Sequence, residues 1–103
     1  MTTQQACLTL LVPKAFEEKL ADILLANPVA ASAGFTIRDI NAYGANITYR
    51  TAMERVHGRV QGVEVVVIVQ ETEASAVLDE IKQAMPGRGV VYRLNTISDA
   101  GEI

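Results

Sequence analysis

The chain has 103 residues, of which 50% are hydrophobic and 20% are charged, and its formal net charge is −3. This length and composition exclude a disordered chain and predict one compact domain over residues 1–103 with a substantial buried core. The mild acidity excludes a general nucleic-acid-binding protein, which needs a basic surface to neutralise phosphates.

The first elements of the chain are predicted to be a strand and a helix. Cys7–Val12 is a short apolar run followed by Pro13, which is typical of a strand. Over residues 14–26 the apolar side chains recur with helical spacing, and Asn27-Pro28 then ends the helix. The small residues of Val29–Gly34 are interpreted as a linker.

A second strand is predicted over Phe35–Tyr43, where apolar and polar residues alternate. The alternation changes phase partway, since Phe35 and Ile37 share one parity and Ile40 has the other. Because one inserted residue produces such a change, a β-bulge is predicted near Arg38-Asp39.

The second half of the chain begins with a long polar connector, Ala45–Gly62. Within it, Thr51 and Glu54 have the spacing of a capping box, which predicts a short helix over Ala52–His57. The remaining elements follow from their hydrophobic patterns. They are a strand over Val63–Gln70, an amphipathic helix over Glu73–Met85 ended by Pro86-Gly87, a strand over Val90–Leu94, and a tail of little pattern, Asn95–Ile103.

The order β-α-β-β-α-β predicts an α+β, ferredoxin-like fold, in which an antiparallel sheet has two helices on one face. The other face should then be polar. In the strand Val63–Gln70, however, Val66 and Ile68 are also apolar. They alternate with the other valines of the strand and therefore lie on the opposite face of the sheet. Because exposing each such side chain forgoes about 1.5–3 kcal/mol, another copy of the chain is expected to cover this face. The alternative is that the polar connector folds back over it.

Three segments resemble the PII-like family of small ferredoxin-fold proteins, which assemble as trimers with their open sheet faces turned inward. Phe35–Gly44 is similar to the second PII strand, which runs into a glycine at the base of the T-loop, and Ala45–Gly62 occupies the place of the T-loop. Gly87-Arg88-Gly89 is similar to the B-loop before the last strand. The resemblance covers nearly the whole chain and implies a homotrimeric signalling or regulatory module.

The resemblance also implies a site for a small effector between subunits, with an adenine nucleotide as the candidate. Glycines beside an arginine let backbone N–H groups approach a phosphate, while the guanidinium donates further hydrogen bonds. The same three residues have an alternative interpretation as a turn after a helix. The candidate ligand-binding residues are Gly44, Asn46, Gly87, Arg88 and Gly89.

The connector 45–62 is the candidate partner-binding loop. Its three arginines stand against Glu54, which gives it a local charge of about +2 in an acidic chain. The sequence looks like a PII-like branch whose genes accompany heavy-metal efflux pumps, which implies a membrane metal-efflux transporter as the partner. A solvated loop whose charges serve only solubility is the alternative. The candidate partner-binding residues are Tyr49, Arg50, Arg55 and Arg59.

His57, the single histidine, is the candidate metal ligand. A transition-metal site needs further ligands, from symmetry-related copies, from Cys7 or from carboxylates such as Glu54. Such a site would fit the alternative function, a divalent-metal-binding accessory protein similar to the CutA family, which shares the trimeric fold. No Ser/His/Asp, Cys/His or clustered-carboxylate set can be assembled from the sequence, so we expect no enzymatic activity.

The sequence favours a cytoplasmic location. Its first residues lack the basic region and the small-residue cleavage site of a secretory signal, and its apolar runs are far shorter than the ~20 residues of a membrane span. With one cysteine, no disulfide can form within the chain. We therefore expect a protein of the reducing cytoplasm that is not itself a membrane protein.

Overall fold

The computed structural model describes residues 4–43 and 52–103. The strands form one antiparallel sheet with the order second, third, first, fourth, which is the predicted α+β, ferredoxin-like arrangement. The elements in chain order are β1 (Gln5–Pro13), a 3₁₀ turn (Lys14–Phe16), α1 (Glu17–Ala26), α2 (Pro28–Ala33), β2 (Phe35–Ala42), α3 (Ala52–His57), β3 (Val60–Gln70), α4 (Glu71–Ala84) and β4 (Val91–Ile97).

The core lies between one face of the sheet and the helices α1, α2 and α4. Buried and more exposed residues alternate along all of β1 and along β3 from Val63 onward. Leu8 pairs with Val67 and Leu10 with Val65, and all four side chains are fully buried. The helices complete the core with apolar residues at helical spacing, as the sequence predicts. Their buried residues are Leu20 and Leu24 of α1, Ala30 of α2, and Ala74, Val77, Leu78 and Ile81 of α4.

The opposite face of the sheet is the open face, and it is apolar at its centre as predicted. Cys7 pairs with Ile68 there, and Thr9 pairs with Val66. The side chain of Ile68 is 41% exposed. In the described part of the connector, Met53 and Val56 of α3 are themselves 70% and 83% exposed.

The prediction that Val29–Gly34 is a linker is wrong, because most of this segment is helical in α2. Asn27 caps this helix: its Oδ1 accepts hydrogen bonds from the N–H groups of Val29 and Ala30, each at 3.0 Å. Its Nδ2 donates to Glu80 on α4 at 2.5 Å. The hydrophobic pattern misses α2 because six mostly small residues show no apolar stripe.

The predicted β-bulge near Arg38-Asp39 is also wrong. β2 pairs with β3 residue for residue, from Phe35 opposite Val67 to Ala42 opposite Val60. Phe35 and Ile37 pack against the core, whereas the register places Ile40 on the open face. The change of phase in the sequence therefore marks a change of the apolar face along a regular strand, not an inserted residue.

Several boundaries differ from the predicted ones, and both β3 and β4 are longer because neighbouring strands provide pairing partners beyond the apolar runs. β3 begins at Val60 rather than Val63, so the end of the predicted connector belongs to the sheet. β4 continues to Ile97, which pairs with Gln5, instead of ending at Leu94. α4 begins two residues earlier than predicted and follows β3 directly.

Candidate functional site

The predicted binding segments emerge at one end of the sheet, which we call the loop end. β1 ends at Pro13, opposite Gly62 of β3, and β2 ends at Ala42. β4 begins at Val91, opposite Leu11 of β1. Three segments therefore meet the sheet at this same end. They are the turn before β4, the 3₁₀ turn after β1 and the connector between β2 and β3.

Gly87-Arg88-Gly89 lies in the turn between α4 and β4. Gly87 and Gly89 have φ angles of 69° and 75°, a left-handed conformation that favours glycine. The helix before them closes with a hydrogen bond from the N–H of Met85 to the carbonyl of Ile81 at 2.9 Å. The predicted turn after a helix is thus present. Left-handed residues in a turn can direct successive backbone N–H groups toward an anion.

Arg88 is positioned by an aromatic ring. Its guanidinium carbon lies 5.3 Å from the centroid of the Phe16 ring, within the range of a cation–π contact. Phe16 ends the 3₁₀ turn and packs against the core. From the sequence, Phe16 is predicted only as part of the apolar stripe of the helix over residues 14–26, since nothing local in the sequence indicates its contact with a residue so far along the chain.

A charged cluster joins the ends of β1 and β2. Lys14 Nζ lies 2.7 Å from Asp39 Oδ1 and 2.7 Å from Glu17 Oε1. The hydrogen bond with Asp39, and after it the bond with Glu17, raise the pKa of Lys14 above 10.5. A cavity of about 200 Å³ lies beside Lys14 and Asp39 and is also lined by Asn41 and Gln61. With one positive and two negative charges, the cluster does not favour a phosphate.

Of the five predicted ligand-binding residues, Gly87, Arg88 and Gly89 are described together in the turn before β4, whereas Gly44 and Asn46 lie outside the described residues. The strand that precedes these two residues, β2, is at the opposite edge of the sheet from β4. Three strand spacings separate the two edges, a distance of about 14 Å.

The connector is described from residue 52 onward, and the predicted helix Ala52–His57 is confirmed as α3. Its end is closed by a hydrogen bond from the N–H of Arg59 to the carbonyl of Glu54 at 3.3 Å. Arg55 is exposed and Arg59 is half-buried. Two further candidate partner-binding residues, Tyr49 and Arg50, lie outside the described residues.

The candidate metal ligands are not assembled in the described part of the chain. Residues 4–43 and 52–103 contain no group of three or more His, Cys, Asp or Glu side chains that could hold a metal ion. The side chain of His57 lies outside what the structure describes. Cys7 lies on the open face, with its Sγ 3.8 Å from Thr9 Oγ1. No helix among the described residues is long and apolar enough to cross a membrane.

Residues 2–103 match the model of the family described as "Protein of unknown function (DUF3240)". A comparison with curated proteins found no match. Among solved structures, a DUF3240 family protein from Shewanella baltica is similar with a TM-score of 0.77 and 14% identity, over 100% of this chain and 99% of that chain.

Two further solved structures show that the fold is PII-like. PII from Arabidopsis thaliana, bound to citrate, has a TM-score of 0.71 and 13% identity over 99% of this chain and 82% of that chain. CPII, a nitrogen regulatory PII-like protein from Thiomonas intermedia bound to ADP, AMP and bicarbonate, has a TM-score of 0.65 and 18% identity over 96% of each chain.

Proposed function

We propose that this chain, which belongs to the DUF3240 family, works as a PII-like regulatory module without catalytic activity of its own. The module binds a small effector between the subunits of a homotrimer and docks on a partner protein through the connector 45–62. The main support is the turn before β4, where two left-handed glycines flank an arginine that is held over the Phe16 ring.

The proposed effector is an adenine nucleotide. CPII, which shares the fold, is bound to ADP and AMP. The phosphates would accept hydrogen bonds from the backbone N–H groups of the Gly87–Gly89 turn and from the Arg88 guanidinium. Gly44 and Asn46 of a neighbouring subunit would complete the site, since β2, the strand before these residues, and β4, the strand after the Gly87–Gly89 turn, are at opposite edges of the sheet.

The homotrimer is proposed from the open face. Ile68 and Val91, which the register places on this face, are 41% and 51% exposed in the single chain. Their burial against other copies would stabilise the assembly by about 25 cal/mol per Å² of apolar area. The same face contains an ion pair between Arg38 Nε and Glu64 Oε1 at 2.9 Å, so these two charged side chains are already partnered.

The connector is the proposed partner-docking segment, and the proposed partner is a membrane metal-efflux transporter that the protein meets in the cytoplasm. Arg55 is exposed on α3 and Arg59 follows that helix, so this part of the connector carries positively charged side chains in a chain whose net charge is −3. The effector site and the connector lie at the same end of the sheet. A nucleotide can therefore favour one conformation of the connector, to the extent that it binds the two conformations with different affinity.

Isothermal titration calorimetry with ADP and ATP tests the effector site. We expect saturable binding to the wild-type chain and an affinity at least about tenfold lower for Arg88→Ala, because a hydrogen bond to a charged group contributes about 1.5–3 kcal/mol. Lys19→Ala removes an equal charge from an exposed position of α1 and should bind as wild type. Absence of binding at millimolar nucleotide, or equal weakening in both variants, would contradict the proposal.

A further inference from the structure

The short helix α3 presents apolar side chains to solvent. Met53 and Val56 are 70% and 83% exposed, the largest exposed fractions of any bulky apolar side chain in the described helices and strands. Because they are three residues apart, they lie on the same side of the helix. A helix on a protein surface ordinarily turns its apolar side toward the core and its polar side toward water. The exposed pair therefore indicates that something outside the chain covers this side of α3.

The charged residues around the pair are arranged in the same unusual way. Arg55 is exposed, whereas Glu54, the acidic residue of α3, is half-buried. Residues 52–62 contain two arginines and one acidic residue, in a chain whose net charge is −3. The exposed surface of α3 thus combines apolar and positively charged side chains, and it is complementary to a surface that is negatively charged outside and apolar beneath.

An anionic membrane surface has this chemistry. Two side chains offer too little area for a stable protein–protein interface, which buries about 800 Å² of each partner. A lipid surface needs no matching shape, because apolar side chains enter the boundary between headgroups and acyl chains while arginines remain among the headgroups. The connector also leaves β2 after Ala42 and joins β3 at Val60, so α3 belongs to the loop end and is outside the sheet.

We propose that α3 binds peripherally to an anionic lipid membrane. Met53 and Val56 enter the headgroup boundary, and Arg55 and Arg59 contact the lipid phosphates. The inference rests on the docking role proposed for the connector and adds a second surface to it, since α3 would hold the protein at the membrane in which a transporter lies. A homotrimer has one α3 in each subunit, and simultaneous contact by several copies increases the apparent affinity.

The test is co-sedimentation of the full chain, without nucleotide, with vesicles of equal parts phosphatidylglycerol and phosphatidylcholine. Saturable binding is expected. Binding to vesicles of phosphatidylcholine alone is expected to be at least about tenfold weaker, because the attraction of the arginines to anionic headgroups is lost. Salt at about 0.5 M should weaken binding to the anionic vesicles, since it screens the same attraction.

Two pairs of variants locate the contact. Met53→Ser combined with Val56→Ser is expected to lower the affinity for anionic vesicles by about tenfold or more. Its control is Leu25→Ser, because Leu25 is 64% exposed but lies on α1. Arg55→Glu is expected to lower the affinity by about tenfold, whereas Lys19→Glu, at an exposed position of α1, should remain within about twofold of wild type.

Two results would overturn the proposal. One is the absence of saturable binding to anionic vesicles up to about 5 mM lipid, which would leave the connector a segment that docks only on proteins. The other is an equal loss of affinity in Leu25→Ser and in the double variant of α3. Calorimetric titration of the same preparation with ADP separates this proposal from the effector site. Intact ADP binding without vesicle binding rejects the membrane contact alone, and vesicle binding without ADP binding rejects the effector site alone.

Discussion

The guanidinium of Arg88 lies over the ring of Phe16, with 5.3 Å between its central carbon and the ring centroid. Phe16 packs against the core, so the contact attaches the turn between α4 and β4 to the folded body of the protein. An arginine that is already oriented loses less conformational entropy when it binds a phosphate. Phe16 is therefore a positioning residue for the proposed effector site.

Phe16→Leu is expected to weaken ADP binding by about two- to fivefold, because a cation–π contact at an exposed site contributes about 0.5–1 kcal/mol. Calorimetric titration measures the change. Phe35→Leu is the control, since Phe35 is another half-buried ring packed against the core but lies at the far end of the sheet. Unchanged affinity in Phe16→Leu, or the same loss in Phe35→Leu, would show that the ring does not position Arg88.

Gly62→Ala is expected to destabilise the fold by about 1–3 kcal/mol, as over-packing of a closely packed site does. A Cβ atom at residue 62 would lie 2.8 Å from the carbonyl oxygen of Val12, where β1 and β3 are paired. Urea unfolding measures the loss. Gly101→Ala, at a position open to solvent, should stay within about 0.5 kcal/mol of wild type. Equal stability of the two variants would contradict the close approach.

The strands of the sheet could be predicted because the pattern that indicates each strand lies within that strand. Val65 and Val67 alternate with residues of the other face, and this period of two shows both a strand and its buried side. The helical stripes of α1 and α4 are equally local. The order of these elements is then sufficient for the ferredoxin-like arrangement, because few topologies connect them without crossing.

The remaining features depend on contacts that the sequence does not indicate. Lys14 and Asp39 form an ion pair although 25 residues separate them. α2 depends on the Asn27 cap and its contact with Glu80, which no periodicity reveals. The glycine turn can be predicted because glycine and arginine have distinctive chemistry. The contact of Arg88 with the Phe16 ring cannot, because an aromatic residue in an apolar stripe is usually part of the core.

Asn27→Ala is expected to lower the free energy of unfolding by about 1–2 kcal/mol, because the variant loses the cap of α2 as well as the contact with Glu80. Chemical denaturation measures the difference. Glu80→Ala removes only the contact between α2 and α4 and should cost less. A smaller loss in Asn27→Ala than in Glu80→Ala would show that the cap does not stabilise α2.

Lys14→Met is expected to lower the urea midpoint of unfolding at pH 8 and to approach wild type as the solution becomes strongly alkaline. The hydrogen bonds with Asp39 and then Glu17 raise the pKa of Lys14 in the folded state. Its stabilising contribution is therefore complete below about pH 10.5 and is lost as the pH rises through the raised pKa. Lys19→Met, on the exposed side of α1, should show no such dependence. A difference between wild type and Lys14→Met that persists unchanged above this range would refute the role of the charge.

Native mass spectrometry of the purified chain with ADP tests the central proposal most directly, because one spectrum reports both the number of chains and the number of bound nucleotides. The expected result is a particle of three chains that carries up to three ADP molecules, with the bound ADP lost in Arg88→Ala while the three-chain mass remains. A particle of one chain, or a trimer that stays free of nucleotide at saturating ADP, would contradict a nucleotide site formed between subunits.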